Sequence, residues 1–395
     1  MQPLTGAKTD LLPFQLVLFA STAAIGGIIP LLGQLRDEFG FSEMGIGVVV
    51  AAGFLGSFVA QVGLSRFADL GYGRQMVTAG IGLLAASLIA MAFVSSLVVW
   101  IALRGAVGFA SGLIAPGVKR AAAVHDPEQV GENLGRLVVG DMSGFLIGPV
   151  AAALIAQVFG FSAPFIVLGI AALAFLPFAA RLPADQGELD QSGRKNSFDL
   201  LRVRRLQAAL LLVIGYFCLI GAWESVMPVV FADRGGTPLV TGLAFGLFGL
   251  PMIILSPLAG KTADRIGPPV VAAAALTVIA FGTMLYGFLP SLAALIAWQG
   301  ALGIADAFGF TAVQVAVSRS VPLDRQAAAL GLMGGVQVLA AGLFAFPAAA
   351  LYQQTNEKVT WVVVGIIMLV LIALSMLRLR GTSPATKPLL SQPVG

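Results

Sequence analysis

The run Arg104-Gly105-Ala106-Val107-Gly108-Phe109-Ala110 lies inside one apolar stretch, and Gln299-Gly300-Ala301-Leu302-Gly303-Ile304-Ala305 lies inside another, 195 positions later. Ala68-Asp69 and Ala263-Asp264, each in a short polar break, are separated by the same 195 positions. One offset held across two loops marks a chain built from two tandem copies. Pro149 with Ala151-Ala152-Ala153-Leu154 is echoed by Pro347 and Ala348-Ala349-Ala350-Leu351, at an offset that has drifted slightly.

Composition names the solvent. Of 395 residues, 58% are hydrophobic and 11% charged, where a soluble domain has roughly 45–50% and about 25%. So few polar residues cannot clothe a water-facing surface. A membrane-spanning helix needs about 20 mainly apolar residues, and the apolar runs fall at 12–35, 43–65, 75–94, 97–118, 136–158, 161–181, 207–231, 239–259, 269–289, 291–316, 328–351 and 359–379. The expected fold is therefore an all-α membrane protein of twelve transmembrane helices in two pseudo-symmetric six-helix bundles. Six spans repeated in one orientation are related by an axis along the membrane normal, a plan of secondary transporters whose site lies between the halves. The expected divisions are an N-terminal bundle (1–182), a cytoplasmic linker (183–206), a C-terminal bundle (207–380) and a cytoplasmic tail (381–395). The linker is polar and charged, with a short amphipathic helix expected near Phe198 to Leu206 at the membrane surface. The tail is rich in Pro and Ser and is expected to lack fixed structure.

Basic residues set the orientation. With the N-terminus inside, 19 of the 23 Lys and Arg face the cytoplasm; Arg36, Arg234 and Lys358 face outward, and Arg104 lies within a span. This asymmetry places both termini in the cytoplasm, in a bacterial-type cytoplasmic membrane. The net charge of +4 comes from residues scattered at span ends, not from a nucleic-acid-binding patch. Single Cys218 excludes an intramolecular disulfide or a thiolate cluster. Single His125, in the polar stretch Val124-His125-Asp126-Pro127-Glu128, excludes a His-ligated metal site or a Ser-His-Asp triad in the membrane. No cofactor and no enzymatic activity are expected. A Gly-rich phosphate loop ending in Lys-Ser or Lys-Thr does not occur, so ATP is not the energy source.

Two cytoplasmic loops carry the repeat further. Residues 63–74 run from Gly63 through Arg66, Asp69 and Gly71 to Arg74, and residues 260–267 from Gly260 through Lys261, Asp264 and Arg265 to Gly267. A tight Gly-containing turn brings two helices back at once, and an acid there is stabilised by a helix N-terminus and nearby Arg. These loops resemble the signature loops of the major facilitator superfamily, with Leu70 and Pro268 departing from its usual basic positions. The resemblance implies gating roles for Asp69, Arg74, Asp264 and Arg265. Arg104 and its glycines resemble the family's fourth-helix motif, which implies a part in proton coupling, although the first span offers Gln15 and Gln34 and no interior carboxylate. Gly140, Gly144, Gly148 and Pro149 resemble the fifth-helix motif of the twelve-span drug/proton antiporters, which implies a gating bend. Read without the family, Arg104 can tie helices through carbonyl groups, and the glycine faces can serve packing alone.

A carboxylate inside a membrane must be matched by a partner, by water or by a proton. Asp141, Glu224 and Asp306 are the candidates for proton coupling, with Arg104; Asp141 is also shallow enough to reach water in a structural role. Arg104 and Glu224 fall at similar depth in opposite halves and are expected to meet in one conformation. Trp223, Glu224, Asp306, Gln61, Phe58, Phe245, Phe308 and Gln337 are the candidates for a substrate cavity, where aromatic faces and acids suit amphipathic or cationic compounds. Each aromatic also has a plain role as a lipid-facing or packing residue. The expected function is a proton-coupled exporter of lipophilic small molecules, acting as a monomer among membrane lipids. A lipid or glycolipid flippase, a sugar or metabolite exporter or symporter, and a membrane sensor or scaffold remain alternatives.

Overall fold

The computed structural model describes residues 11–125, 130–182, 197–322 and 325–380. The expected disordered tail, most of the linker and the Asp69 side chain lie outside what it describes. Among the described residues twelve helices are long and apolar enough to cross a membrane: α1 (Leu12–Leu31), α2 (Glu43–Leu64), α3 (Leu70–Met91), α4 (Leu97–Ala122), α5 (Leu137–Phe159), α6 (Ala163–Ala180), α7 (Arg204–Asp233), α8 (Pro238–Ile266), α9 (Pro268–Phe288), α10 (Leu292–Ser318), α11 (Ala328–Gln354) and α12 (Glu357–Leu379). Several outrun the apolar stretches that announced them. α7 and α8 extend past 207–231 and 239–259 because their charged ends keep helical hydrogen bonds where headgroups and water can solvate the side chains. The helix expected near 198–206 is a 3₁₀ segment, Ser197–Arg202, leading straight into α7. Arg325 clamps it from the α10–α11 loop, with both Nη atoms on the Asp199 carboxylate at 2.7 and 3.1 Å.

The repeat visible in the sequence is a repeat of packing. α4 lies between α2 and α3, α5 packs on α1, and α6 packs on α3; in the second bundle α10 lies between α8 and α9, α11 packs on α7, and α12 packs on α9. Lipid tails are as apolar as leucine, so helices associate in a membrane through close van der Waals fit, which small residues permit. A methyl group at Gly108 of α4 would lie 1.8 Å from the carbonyl oxygen of Gly53 on α2, and one at Gly303 of α10 would lie 2.5 Å from that of Phe248 on α8. Both residues of each pair obey the 195-residue offset. The stripe Gly140, Gly144 and Gly148 sets α5 onto the backbone of α1 at Gln15, Phe19 and Ala23. Away from these contacts, Ile147, Leu154, Val278, Phe281 and Leu374 are exposed on the outer surface, as lipid-facing side chains must be.

The two bundles meet along α2–α11 and α5–α8. An even number of spans brings both ends of the chain to one face, called here the terminal face; the opposite one is the far face.

Candidate functional site at the seam between the bundles

The seam is closed at the far face. Arg36, in the short helix Gln34–Phe39 after α1, places Nη1 2.5 Å from Asp233 Oδ1 at the end of α7, and also contacts Glu43 at 3.5 Å. Tyr352 of α11 donates its hydroxyl to the other oxygen of Asp233, and the Met44 amide donates to Gln353 Oε1 at 2.9 Å. Backbones interlock below these polar contacts. A methyl at Gly33 would meet the Pro228 carbonyl at 2.5 Å, and one at Gly47 would meet the Ala349 side chain at 2.4 Å. No motif announces this clasp, because Arg36, Asp233 and Tyr352 stand in unrelated loops and span ends.

Beneath the clasp lie Glu224 of α7 and Arg104 of α4, 8% and 4% exposed. Each is the charged group whose field acts on the other, yet no ion pair joins them among the described contacts, and Arg104 Nε has no hydrogen-bond partner. The expected meeting of these two residues is thus a facing pair held apart in this conformation. Gly53 makes room for the guanidinium: a methyl there would stand 2.8 Å from Arg104 Cζ. Next to Glu224, Trp223 stacks on Phe245 and Phe248 of α8 with ring centroids 3.9 and 4.9 Å apart, and its indole Nε1 is unpartnered. On the other side of the seam, Gln61 of α2 donates to Ser57 Oγ at 2.9 Å and faces Gly334 of α11, while Phe58 approaches Gly335. Gln337 sits one turn from both Gly334 and Ala341, which touch α2 and α7 respectively. Phe58 and Gln61 thus stand at the α2–α11 contact and Glu224 faces Arg104, while Trp223 and Phe245 are buried in the apolar core of the C-terminal bundle beside Glu224.

Asp306 is elsewhere. It is fully buried inside the C-terminal bundle, where Tyr216 of α7 donates to its Oδ1 at 2.6 Å and Oδ2 has no partner. Phe308, also on α10, packs on the core of that bundle. Asp141 of α5 sits beside Thr22 of α1, in the field of Lys119. Pro149 turns its carbonyl toward Gly242 of α8, so the proline of α5 stands at the contact between the bundles. In the second signature loop, Asp264 pairs with Arg319 at 2.5 Å, at the end of α10 in its own bundle, while Arg265 and Arg74 are exposed. Tyr216, Gly53 and Arg319 are the partners that sequence reasoning missed; each sits in a helix remote in sequence from the residue it serves.

The family model for the Major Facilitator Superfamily matches residues 15–231, through the N-terminal bundle into α7, and again 212–394. The chain belongs to the major facilitator superfamily. It is a multi-pass membrane transporter and not an enzyme. Among curated relatives, the uncharacterized MFS-type transporter YuxJ of Bacillus subtilis (strain 168) is 24% identical over 325 residues, covering 79% of this chain and 83% of that one. The multidrug resistance protein MdtG of Escherichia fergusonii is 25% identical over 293 residues, covering 68% and 69%. Among solved structures, the nucleoside transporter NupG superposes with a TM-score of 0.75 at 13% identity, over 94% of this chain and 99% of that one. A bacterial homologue of the human lysosomal transporter Spinster, inward-facing and unoccupied, gives 0.77 at 12% identity, over 95% and 98%. At such identities these structures speak for the fold alone.

Proposed function

We propose that this transporter exports amphipathic or lipophilic small molecules across a bacterial-type cytoplasmic membrane in exchange for protons, by alternating access, with Glu224 as the coupling acid. The observation that carries the reading is Glu224 itself: a buried acid of one bundle facing the buried Arg104 of the other, directly beneath the far-face clasp. The positive-inside count supports a cytoplasmic terminal face, and on that reading the closed far face is the outer one. Similarity to multidrug resistance proteins supports the substrate class.

The chemistry follows from position. A cationic or amphipathic compound arriving from the cytoplasm stacks on Trp223 and the Phe245 face, and its charge competes with the proton for Glu224. The proton leaves to the cytoplasm, and the loaded bundles rock on the α2–α11 and α5–α8 contacts. Outside, a proton returns to Glu224, removes its attraction for both substrate and Arg104, and resets the carrier. Asp264, Arg265, Asp69 and Arg74 act at the cytoplasmic loops, and Pro149 at the bend of α5. Asp141 is a subsidiary acid near the cytoplasmic end. The unit is a monomer surrounded by lipid.

The test is proton movement in proteoliposomes under an imposed pH gradient, read with a pH dye while lipophilic cations, neutral antibiotics and sugars are added in turn. Substrate-triggered proton release that disappears in Glu224→Gln is the expected result. A proton response to the same compounds that persists in Glu224→Gln, or no response to any compound from folded protein, overturns the reading.

A further inference from the structure

The C-terminal bundle hides a set of polar groups that the seam does not use. Tyr216 on α7, Thr283 and Tyr286 on α9, Gln299 and Asp306 on α10 and Trp361 on α12 are each no more than 3% exposed. Five of their polar atoms have no hydrogen-bond partner: Thr283 Oγ1, both side-chain atoms of Gln299, Asp306 Oδ2 and Trp361 Nε1. Leaving such groups unsatisfied in an apolar interior costs roughly 1–3 kcal/mol each, and buried polar atoms are satisfied by protein or by ordered water.

Their arrangement is linear. Gln299 and Asp306 stand two helical turns apart on one face of α10, about 10 Å at 1.5 Å per residue. Trp298 donates its indole N–H to the Gly282 carbonyl at 2.9 Å, which sets Thr283 level with Gln299 across α9 and α10. Tyr286, one turn farther out, lies in the field of Asp306 and packs edge-on against Trp361 with centroids 5.3 Å apart. Beyond Tyr286 the far face opens into a recess of about 600 Å³, lined by Arg234, Gly287, Ser291, Glu357 and Lys358 among others. The titratable groups that share the field of Asp306 are Tyr216 and Tyr286; Arg234, Glu357 and Lys358 flank the mouth, where Arg234 is paired to Glu357.

Packing does not require these residues. At the 195-residue offset, Thr283 and Tyr286 correspond to Leu88 and Met91 of α3, both fully buried, and Asp306 corresponds to Ser111. At these three positions the N-terminal bundle builds the same helix contacts with apolar or small side chains, while Gln299 corresponds to Arg104, so Thr283, Tyr286 and Asp306 answer to something other than packing.

We infer that the interior of the C-terminal bundle is a hydrated proton route, running from the far-face recess past Tyr286, Thr283 and Gln299 to Asp306, separate from the seam that carries the substrate. Water satisfies the orphaned amide, hydroxyl and indole groups and passes protons along them; a proton from the outer solution comes to rest on Asp306 Oδ2, while Tyr216 holds Oδ1. The inference rests on the proposed proton coupling for its purpose, but its test reads proton access without transport.

Purified protein in lipid nanodiscs is transferred from H₂O to D₂O at acid pH, and the carboxylic C=O infrared band that Asp306→Asn removes is followed in time. In the wild type the band is expected to shift within the mixing time. In Gln299→Leu and in the isosteric Thr283→Val it is expected to shift at least 10-fold more slowly, with lipophilic-cation binding unchanged. Equal exchange rates in wild type and in whichever of the two variants folds would overturn the route. Absence of any band sensitive to Asp306→Asn at acid pH would overturn Asp306 as its terminus. Failure of the exporter reading shows instead as missing proton flux in vesicles.

Discussion

Replacing Arg36 by alanine tests whether the far-face clasp sets the balance between the two openings of the carrier. Partial burial by itself lowers the Arg36 pKa, but the hydrogen bond and charge of Asp233 outweigh it, so the guanidinium titrates above its ordinary range and stays charged at any working pH. The pair is nevertheless about one-third exposed on each side, 31% for Arg36 and 35% for Asp233. Water therefore screens it, and its worth is about 1 kcal/mol, not the several expected of a buried pair. Tyr352 remains on Asp233 in the variant, so no orphaned charge adds to the loss. About 1 kcal/mol is roughly a fivefold shift in an equilibrium constant. Spin labels at Ser95 and Lys358, both exposed far-face positions on opposite bundles, read this balance by pulsed dipolar spectroscopy in nanodiscs. Arg36→Ala should move population from the short-distance peak to a longer one, and Arg36→Asp with Asp233→Arg should return it. An unchanged distance distribution in Arg36→Ala would show that the backbone contacts Gly33–Pro228 and Gly47–Ala349 hold the far face closed without the charges.

Further outcomes follow from the same contacts. Gly53→Ala pushes only on the flexible end of Arg104, so it should fold with near-normal thermal stability and lose at least 10-fold in substrate-driven proton release. Gly108→Ala pushes on backbone at 1.8 Å and should lower stability by about 1–3 kcal/mol, measured by melting in detergent. Tyr216→Phe removes the 2.6 Å bond to Asp306, worth about 1.5–3 kcal/mol if the carboxyl is charged; proton release should fall while substrate binding, read by fluorescence of Trp223, holds. Arg325→Ala frees the 3₁₀ segment at Asp199 and should speed proteolysis near residues 197–202 several-fold without altering melting of the bundles.

The number of spans, the repeat and the family were legible because each is written locally: a span is a run of apolar side chains, and a repeat is a fixed offset. Asp69, Asp264, Gly144 and Pro149 stand in short motifs that sequence can display. What sequence hid are pairings across helices. Nothing local tells that Gly53 cradles Arg104, or that Tyr216 rather than a basic residue answers Asp306. Asp306 reads as a cavity residue because an intramembrane acid suits a cationic compound; its position on α10 turns it instead into the bundle, toward Tyr216 of α7. A helical face changes with every residue, so a span shows an acid's depth before it shows its direction.

The repeat is symmetric in packing and asymmetric in charge, and the proposed proton coupling needs that asymmetry. Arg104 and Gln299 hold equivalent places, each on a helix packed by a matching glycine, yet only the first bears a charge. The second bundle supplies the two deeper acids, Glu224 at the seam and Asp306 within, while the first holds Asp141 near the terminal face. With a cation at both places the bundles would repel across the seam; with an amide at both, a proton on Glu224 would change nothing between them. One cation facing one buried acid makes the attraction between the halves depend on a single proton. The inner acid then has a different neighbour: a phenol, which can hold a carboxyl in either protonation state, in place of an arginine that would fix it in one. On the proposed exporter reading, two acids under two such regimes are one proton site that feels the opposite bundle and one that does not.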